Sequence, residues 1–275
     1  MSEPLLEIKN LVTGFETESG LLKAVDGVSF TVPKGSCVGI VGESGCGKSV
    51  TAMSIVRLLP QPMGKILDGE ILFQGRDLVQ AKETDMHGIR GRHIGVIFQE
   101  PMTALNPVHS IGRQIGESLM LHRGLNAREA RDAAIQLLQR VRIPAPEQRV
   151  DEFPHQLSGG MRQRASLIRT LAAGPDILLL DEAFSALDYQ TRLSVAADVF
   201  RILKAEGVTT LMVTHDIPES ISLGDYVMVL SQRPAEIKEV LKIDFGPGRT
   251  PLSCRAHPRF SGYFDHIWKE LQTDE

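Results

Sequence analysis

The 275-residue chain is poor in cysteine, with three, and in aromatic side chains, at 5%. Cys37, Cys46 and Cys254 are widely spaced. That excludes a disulfide framework and a cysteine-rich metal cluster. No uninterrupted apolar run approaches the roughly 20 residues that span a bilayer. The opening MSEPLLEIKN is acidic and lacks the apolar stretch of a signal peptide. A cytosolic protein is expected, with any membrane link made through a partner. Charge of one sign is also scarce. The 30 basic and 34 acidic side chains leave a net of -4, so nothing calls for nucleic acid as the main partner. There is no internal repeat and no low-complexity linker. What is present, 42% hydrophobic and 23% charged residues, is the composition of a folded chain with a large core.

Short apolar runs mark buried strands at 36–41, 94–98, 177–180, 209–214 and 226–230. Apolar positions at helical spacing lie between them, over 48–59, 111–125, 158–173 and 193–205. Asn126 followed by Glu129 has capping-box spacing for a further helix carrying Ala130, Ala134 and Leu138 on one side. Strands alternating with helices predict an α/β fold with a mostly parallel sheet. Residues 5–13 and 28–32 look like strands without a helix between them, which adds an N-terminal antiparallel portion. A mainly helical lobe is expected from about 100 to 156. The last thirty residues read as loop followed by one short helix at 262–271.

Gly42-Glu43-Ser44-Gly45-Cys46-Gly47-Lys48-Ser49 fits the phosphate-loop pattern G-x-x-x-x-G-K-[ST]. It stands between a buried strand and a helix. Glycines let successive backbone N–H groups turn inward around phosphates, and the helix start adds a favourable field for anions. Lys48 is placed to reach the β- and γ-phosphates and Ser49 to offer a hydroxyl to Mg²⁺. Asp181 and Glu182 follow the apolar run 177–180, at the strand end where parallel sheets bind ligands. Asp181 suits Mg²⁺ through its water shell. Glu182 points the other way along the strand and suits orientation or deprotonation of an attacking water. Leu157-Ser158-Gly159-Gly160-Met161 is a second glycine turn at a helix start. One ATP has no evident need of both turns from one chain, so composite sites at a dimer interface are expected.

With these motifs in this order, residues 5 to 240 resemble the ATP-binding cassette (ABC) ATPases, a branch of the P-loop NTPases. The resemblance implies one ATP-binding domain over 1–275, with a helical signature subdomain at 100–173. It implies that Ser158, Gly159 and Gly160 close over ATP held by a partner subunit. Gln99 matches the glutamine that contacts Mg²⁺ and water. Asp188, in Ser185-Ala186-Leu187-Asp188, matches the loop crossing the dimer interface. His215 matches the switch histidine at the γ-phosphate. Phe15 matches the aromatic platform for adenine, although a core role is also open to it. Ala183 stands where most relatives have proline.

The family implies ATP and Mg²⁺ as ligands and ATP hydrolysis driving import of a solute. Its partners would be a second ATPase subunit, membrane permease subunits and an extracytoplasmic solute-binding protein. Its place would be the cytoplasmic face of the inner or cell membrane. The stretch Met102 to Met120 is expected to line the permease contact. Residues 35 to 164 are similar to dipeptide, oligopeptide and nickel importers, whereas the later DEAFSALDYQTRL and VTHDIPESISLGDYVMVLSQRPAEI segments are similar to nitrate, sulfonate and taurine importers. A soluble ABC ATPase without a transport role, and an ATP-binding interaction protein without turnover, are the competing readings. No coiled-coil insertion or tandem cassette supports the first, and the presence of Glu182 and His215 argues against the second.

Overall fold

The computed structural model describes residues 4–98 and 105–272. In chain order the first elements are β1 (Pro4–Thr17), β2 (Gly20–Pro33), β3 (Cys37–Val41), α1 (Lys48–Ile55), β4 (Gly64–Phe73), β5 (Arg76–Asp77) and α2 (Glu83–Ile89). Then come β6 (Ile94–Ile97), α3 (Ile111–Arg123), α4 (Ala127–Arg140), α5 (Pro146–Arg149), α6 (Gly159–Ala172), β7 (Ile177–Asp181) and α7 (Tyr189–Glu206). The chain continues with β8 (Thr209–Thr214), α8 (Ile217–Leu223), β9 (Tyr226–Leu230), β10 (Ile237–Lys242), α9 (Pro251–Arg255) and α10 (Arg259–Gln272). Contacts divide the chain into two compact units, Met1–His87 with Gly207–Glu275 and Gly88–Glu206. The fold is of the α/β P-loop NTPase class, with an N-terminal antiparallel sheet, a mixed and mostly parallel sheet, and helical insertions.

In the first unit, β1 and β2 form a long hairpin whose ends meet at Thr17 and Gly20. Pairing carries both strands beyond the expected 5–13 and 28–32. The other edge of β1 pairs with β4, again antiparallel. No regular alternation marks β4 in the sequence, because Asp68 and Gly69 interrupt it. The strand β3 lies between β8 and β9, parallel to both, and β10 closes that edge antiparallel to β9. All five residues of β3 and all six of β8 are buried, which explains the apolar run of β3 and of Leu211–Val213 in β8. Helix α1 ends at Ile55, four residues short of the expected Leu59. The cause is local: Arg57 turns left-handed at φ 53. Its guanidinium then binds the carbonyls of Leu78 and Ala81.

In the second unit, β6 and β7 are parallel, with Ile97 opposite Leu180. Helices α3, α4 and α6 bury Ile115, Leu119, Ala134, Leu138, Ala165 and Ile168 in one apolar cluster. Each fully buried Leu or Ile stabilises such a core by about 1.5–3 kcal/mol relative to exposure. The capping box expected at Asn126 is present. Its side chain accepts from the amides of Arg128 and Glu129 at 3.0 Å, and the Glu129 carboxylate accepts from the Asn126 amide. Among the described residues, no helix is long and apolar enough to cross a membrane.

Candidate nucleotide site

The glycine loop begins one residue after β3, and His215 one residue after β8. Val41 pairs with Thr214, so both segments leave the same edge of one parallel sheet. That edge is the carboxyl end of the strands, where parallel sheets receive ligands. Inside the loop, Gly47 has φ 123, and a Cβ there would lie 2.6 Å from the Ala24 carbonyl oxygen. Only glycine lets the chain pass β2 this closely and enter α1 at once. Gly45 is left-handed as well, while Glu43, Ser44 and Gly45 are open to solvent.

Lys48 is 4% exposed. Its ammonium donates to the carbonyls of Gly42 at 2.8 Å and Glu43 at 2.7 Å. It is therefore held inside the loop, close to the backbone a phosphate would approach. Cys46 lies beneath, with Sγ 3.9 Å from the ammonium. Burial pushes the Cys46 thiol up, and the positive charge of Lys48 opposes that shift. Ser49 is half-buried at the helix start. His215 is exposed, and the turn around it is firm: Thr214 Oγ1 accepts from the Asp216 amide at 3.0 Å, and Asp216 caps α8 through the Glu219 amide at 2.9 Å. Phe15 is half-buried on β1, opposite Leu22 and Gly64.

A second loop covers the first. Arg233 donates through Nε and Nη2 to the Gly45 carbonyl, at 3.1 and 2.7 Å. Gln232 reaches the Glu43 carboxylate at 3.2 Å. Ala235 exchanges backbone bonds with Ala24 and Asp26, both 3.0 Å, which fixes this loop to β2. Residues 188 positions apart meet here, and no spacing rule in the sequence points to the pair. An exposed cationic clamp on the loop backbone orders it before an anion arrives. Arg233→Ala is expected to raise the KM for ATP about three- to tenfold while kcat stays within about twofold. Steady-state ATPase assays across an ATP titration check this, and an unchanged KM would remove Arg233 from nucleotide binding.

In the second unit, Asp181 is 5% exposed at the end of β7. Glu182 follows with φ 46, a left-handed conformation uncommon for a non-glycine residue. Its carbonyl accepts from the Ser185 amide at 3.1 Å and the Ser185 hydroxyl at 2.8 Å, which holds the turn. Ala183 is buried, and its carbonyl accepts a bond from the Gln163 side chain. Gln99 lies outside the described residues.

Ser158 is the N-cap of α6, its hydroxyl accepting from the Met161 amide at 3.3 Å. Asp188 stands beside it, capping α7 through the Thr191 amide at 3.0 Å. Hydrogen bonds from the Thr191 side chain and amide hold the Asp188 carboxyl below its ordinary value. Ser158, Gly159, Gly160 and Asp188 line one open pocket of about 560 Å³ together with Arg164 and Thr191. The first turn of α6 carries no acidic residue, so the helix field there favours an anion.

A family model described as ABC transporter matches residues 25–185. The chain belongs to the ABC transporter family. It is 43% identical over 226 residues to the oligopeptide transport ATP-binding protein OppD of Bacillus subtilis, covering 82% of this chain and 63% of that one. To the dipeptide transport ATP-binding protein DppD of the same organism it is 43% identical over 228 residues, covering 83% and 68%. The chain thus spans just under two thirds of OppD. Among solved structures it is similar to the ATP-binding cassette MJ0796, determined as a dimer in a post-hydrolysis state bound to ADP and Pi. The TM-score is 0.75 at 26% identity, covering 88% of this chain and 100% of that one.

One expectation is corrected. The division into a peptide-importer-like front half and a nitrate- or sulfonate-importer-like back half does not hold. Alignment to peptide-transport ATP-binding proteins at 43–44% identity spans 213 to 242 residues, 78–87% of the chain, and so extends well into the back half. The segments that suggested otherwise build the turn from β7 into α7, the end of β8, α8 and β9. The last three pack the sheet beneath the glycine loop, a task set by the fold rather than by the solute.

Proposed function

We propose that this chain is the ATP-hydrolysing subunit of a membrane transporter that imports peptides. It works as a head-to-tail dimer on the cytoplasmic side of the membrane, bound to permease subunits and served by an extracytoplasmic solute-binding protein. The observation that carries the reading is the 43% identity to ATP-binding proteins of oligopeptide and dipeptide transport. The dimeric state of the cassette MJ0796 with ADP and Pi supports the dimer. Residues 1–275 act as one ATP-binding domain, with 100–173 as its signature subdomain.

Each residue then has a task. Backbone amides of Gly42 to Ser49 hold the phosphates, Lys48 neutralises the β- and γ-phosphate charge, and Phe15 stacks on adenine. The Ser158–Gly160 turn and Asp188 of a second copy close over the same nucleotide. The Ser49 hydroxyl and the Asp181 carboxylate are hard oxygen donors of the kind Mg²⁺ takes, and Gln99 joins them. When bound, Mg²⁺ offsets charge on the β- and γ-phosphates. Glu182 accepts a proton from the attacking water as its oxygen bonds to the γ-phosphorus and the bond to the ADP oxygen breaks. His215 positions that water against the γ-phosphoryl group. Fixed donors around the spreading charge supply the main stabilisation of the transition state.

The permease contact falls on the second unit, where Val108 is 73%, Met120 41% and Leu121 75% exposed. Residues 102–104 of the expected Met102–Met120 stretch lie outside the described ones. Import is tested in cells lacking this chain. Uptake of labelled di- and oligopeptides should fall at least about tenfold and return with the wild-type chain but not with Glu182→Gln. Peptide uptake that persists unchanged in such cells would overturn the assignment of solute.

A further inference from the structure

Among the described residues, one group of three metal-ligating side chains stands apart from the nucleotide site: Glu239, His266 and Glu270. The imidazole and the two carboxylates each offer one donor atom, and these atoms all lie within 4.8 Å of one another. His266 Nε2 is 2.7 Å from a Glu239 carboxylate oxygen. Two elements bring them together. His266 and Glu270 are four residues apart on α10 and so share a helix face, while Glu239 comes from β10.

The backbones that carry the donors are fixed. Ile267, next to His266, is fully buried in the apolar cluster formed with Val227, Val229 and Ile243. Glu239 pairs with Val229 of β9. The Lys238 ammonium donates to the main-chain carbonyl of Glu270, tying the last turn of α10 to β10. The donors themselves are half-buried or exposed, so a metal ion has access and water can fill a remaining position.

One imidazole nitrogen and two carboxylate oxygens, with water as a fourth ligand, match the open three-ligand pattern of zinc. Donor atoms around a tetrahedral Zn²⁺ lie roughly 3.3 Å apart. Small side-chain rotations reach that spacing from the present arrangement. Mg²⁺ and Ca²⁺ prefer more oxygen donors and no imidazole. We propose that Glu239, His266 and Glu270 form a binding site for a divalent transition ion of the zinc type, which pins α10 to β10. The site is independent of the nucleotide machinery.

The probe is Zn²⁺ alone, titrated calorimetrically into the tag-free, chelator-stripped full chain. The wild-type chain should bind one equivalent more than His266→Ala. Glu239→Gln should weaken that equivalent at least about tenfold. At ten times its dissociation constant, Zn²⁺ should raise the wild-type Tm by about 3 °C and leave that of His266→Ala unmoved. Mg²⁺ should give no difference between the proteins. Equal Zn²⁺ binding by wild type and both variants, or no binding by the wild type, would reduce the cluster to a surface ion pair and overturn the proposal. Should His266→Ala fail to fold, the near-isosteric Glu239→Gln carries the same comparison.

Discussion

Replacing Glu182 with glutamine is expected to leave ATP bound but unhydrolysed, with turnover lowered at least about 10²-fold. The turn that carries the residue is held through its backbone. Glu182 has φ 46, a conformation that costs a side-chain-bearing residue of order 1 kcal/mol. Its own carbonyl, bonded to the amide and hydroxyl of Ser185, and the Gln163 contact to the next carbonyl keep the turn in place. None of these bonds uses the Glu182 carboxylate as acceptor, so glutamine retains them. It has nearly the same volume and loses only the negative charge and the capacity to take a proton. The fold should be unaffected, with Tm within about 2 °C of wild type. ATP affinity should stay within about threefold, while single-turnover hydrolysis collapses. A variant that hydrolyses at the wild-type rate would remove Glu182 from proton transfer and leave its strained backbone unexplained.

The parts of the site that were legible share a physical cause. Strands buried on both faces are short and largely apolar, as β3, residues 177–180 of β7 and Leu211–Val213 of β8 show. A glycine, a carboxylate and a histidine stand out against the apolar background at or just past the strand ends, at Gly42, Asp181 and His215. Elements on the periphery lack that contrast. The strand β10 is an edge strand with half-exposed residues, and β4 is broken by polar residues. Helix α8 spans seven residues with Pro218 in its first turn, too short for a helical period to emerge. The Arg233 clamp rests on a contact between loops that only the folded chain brings together. Solute class was least legible, because β8, α8 and β9 serve the packing around the nucleotide loop whatever is transported.

Lys48→Ala is expected to weaken ATP binding about 10²-fold. Charge-assisted bonds to phosphate are worth about 1.5–3 kcal/mol each, and no other side chain of the loop supplies a cation. The same ammonium also bonds the Gly42 and Glu43 carbonyls, so its loss has a structural side. Thermal unfolding separates the two effects. A charge effect weakens ATP at an unchanged Tm, whereas a collapsed loop lowers the Tm as well. Unaltered ATP affinity would sink the phosphate-binding role of the loop. The variant also tests the dimer. Ser158 is exposed, so Ser158→Arg blocks the second glycine turn at the cost of one helix cap, about 1 kcal/mol. Each variant alone should be inactive. In an equal mixture about half the dimers pair one chain of each kind, and a head-to-tail pair then keeps one intact site of two. The mixture should recover about a quarter of the wild-type rate. A mixture no more active than the separate chains would mean that the two glycine turns do not share a nucleotide across the interface.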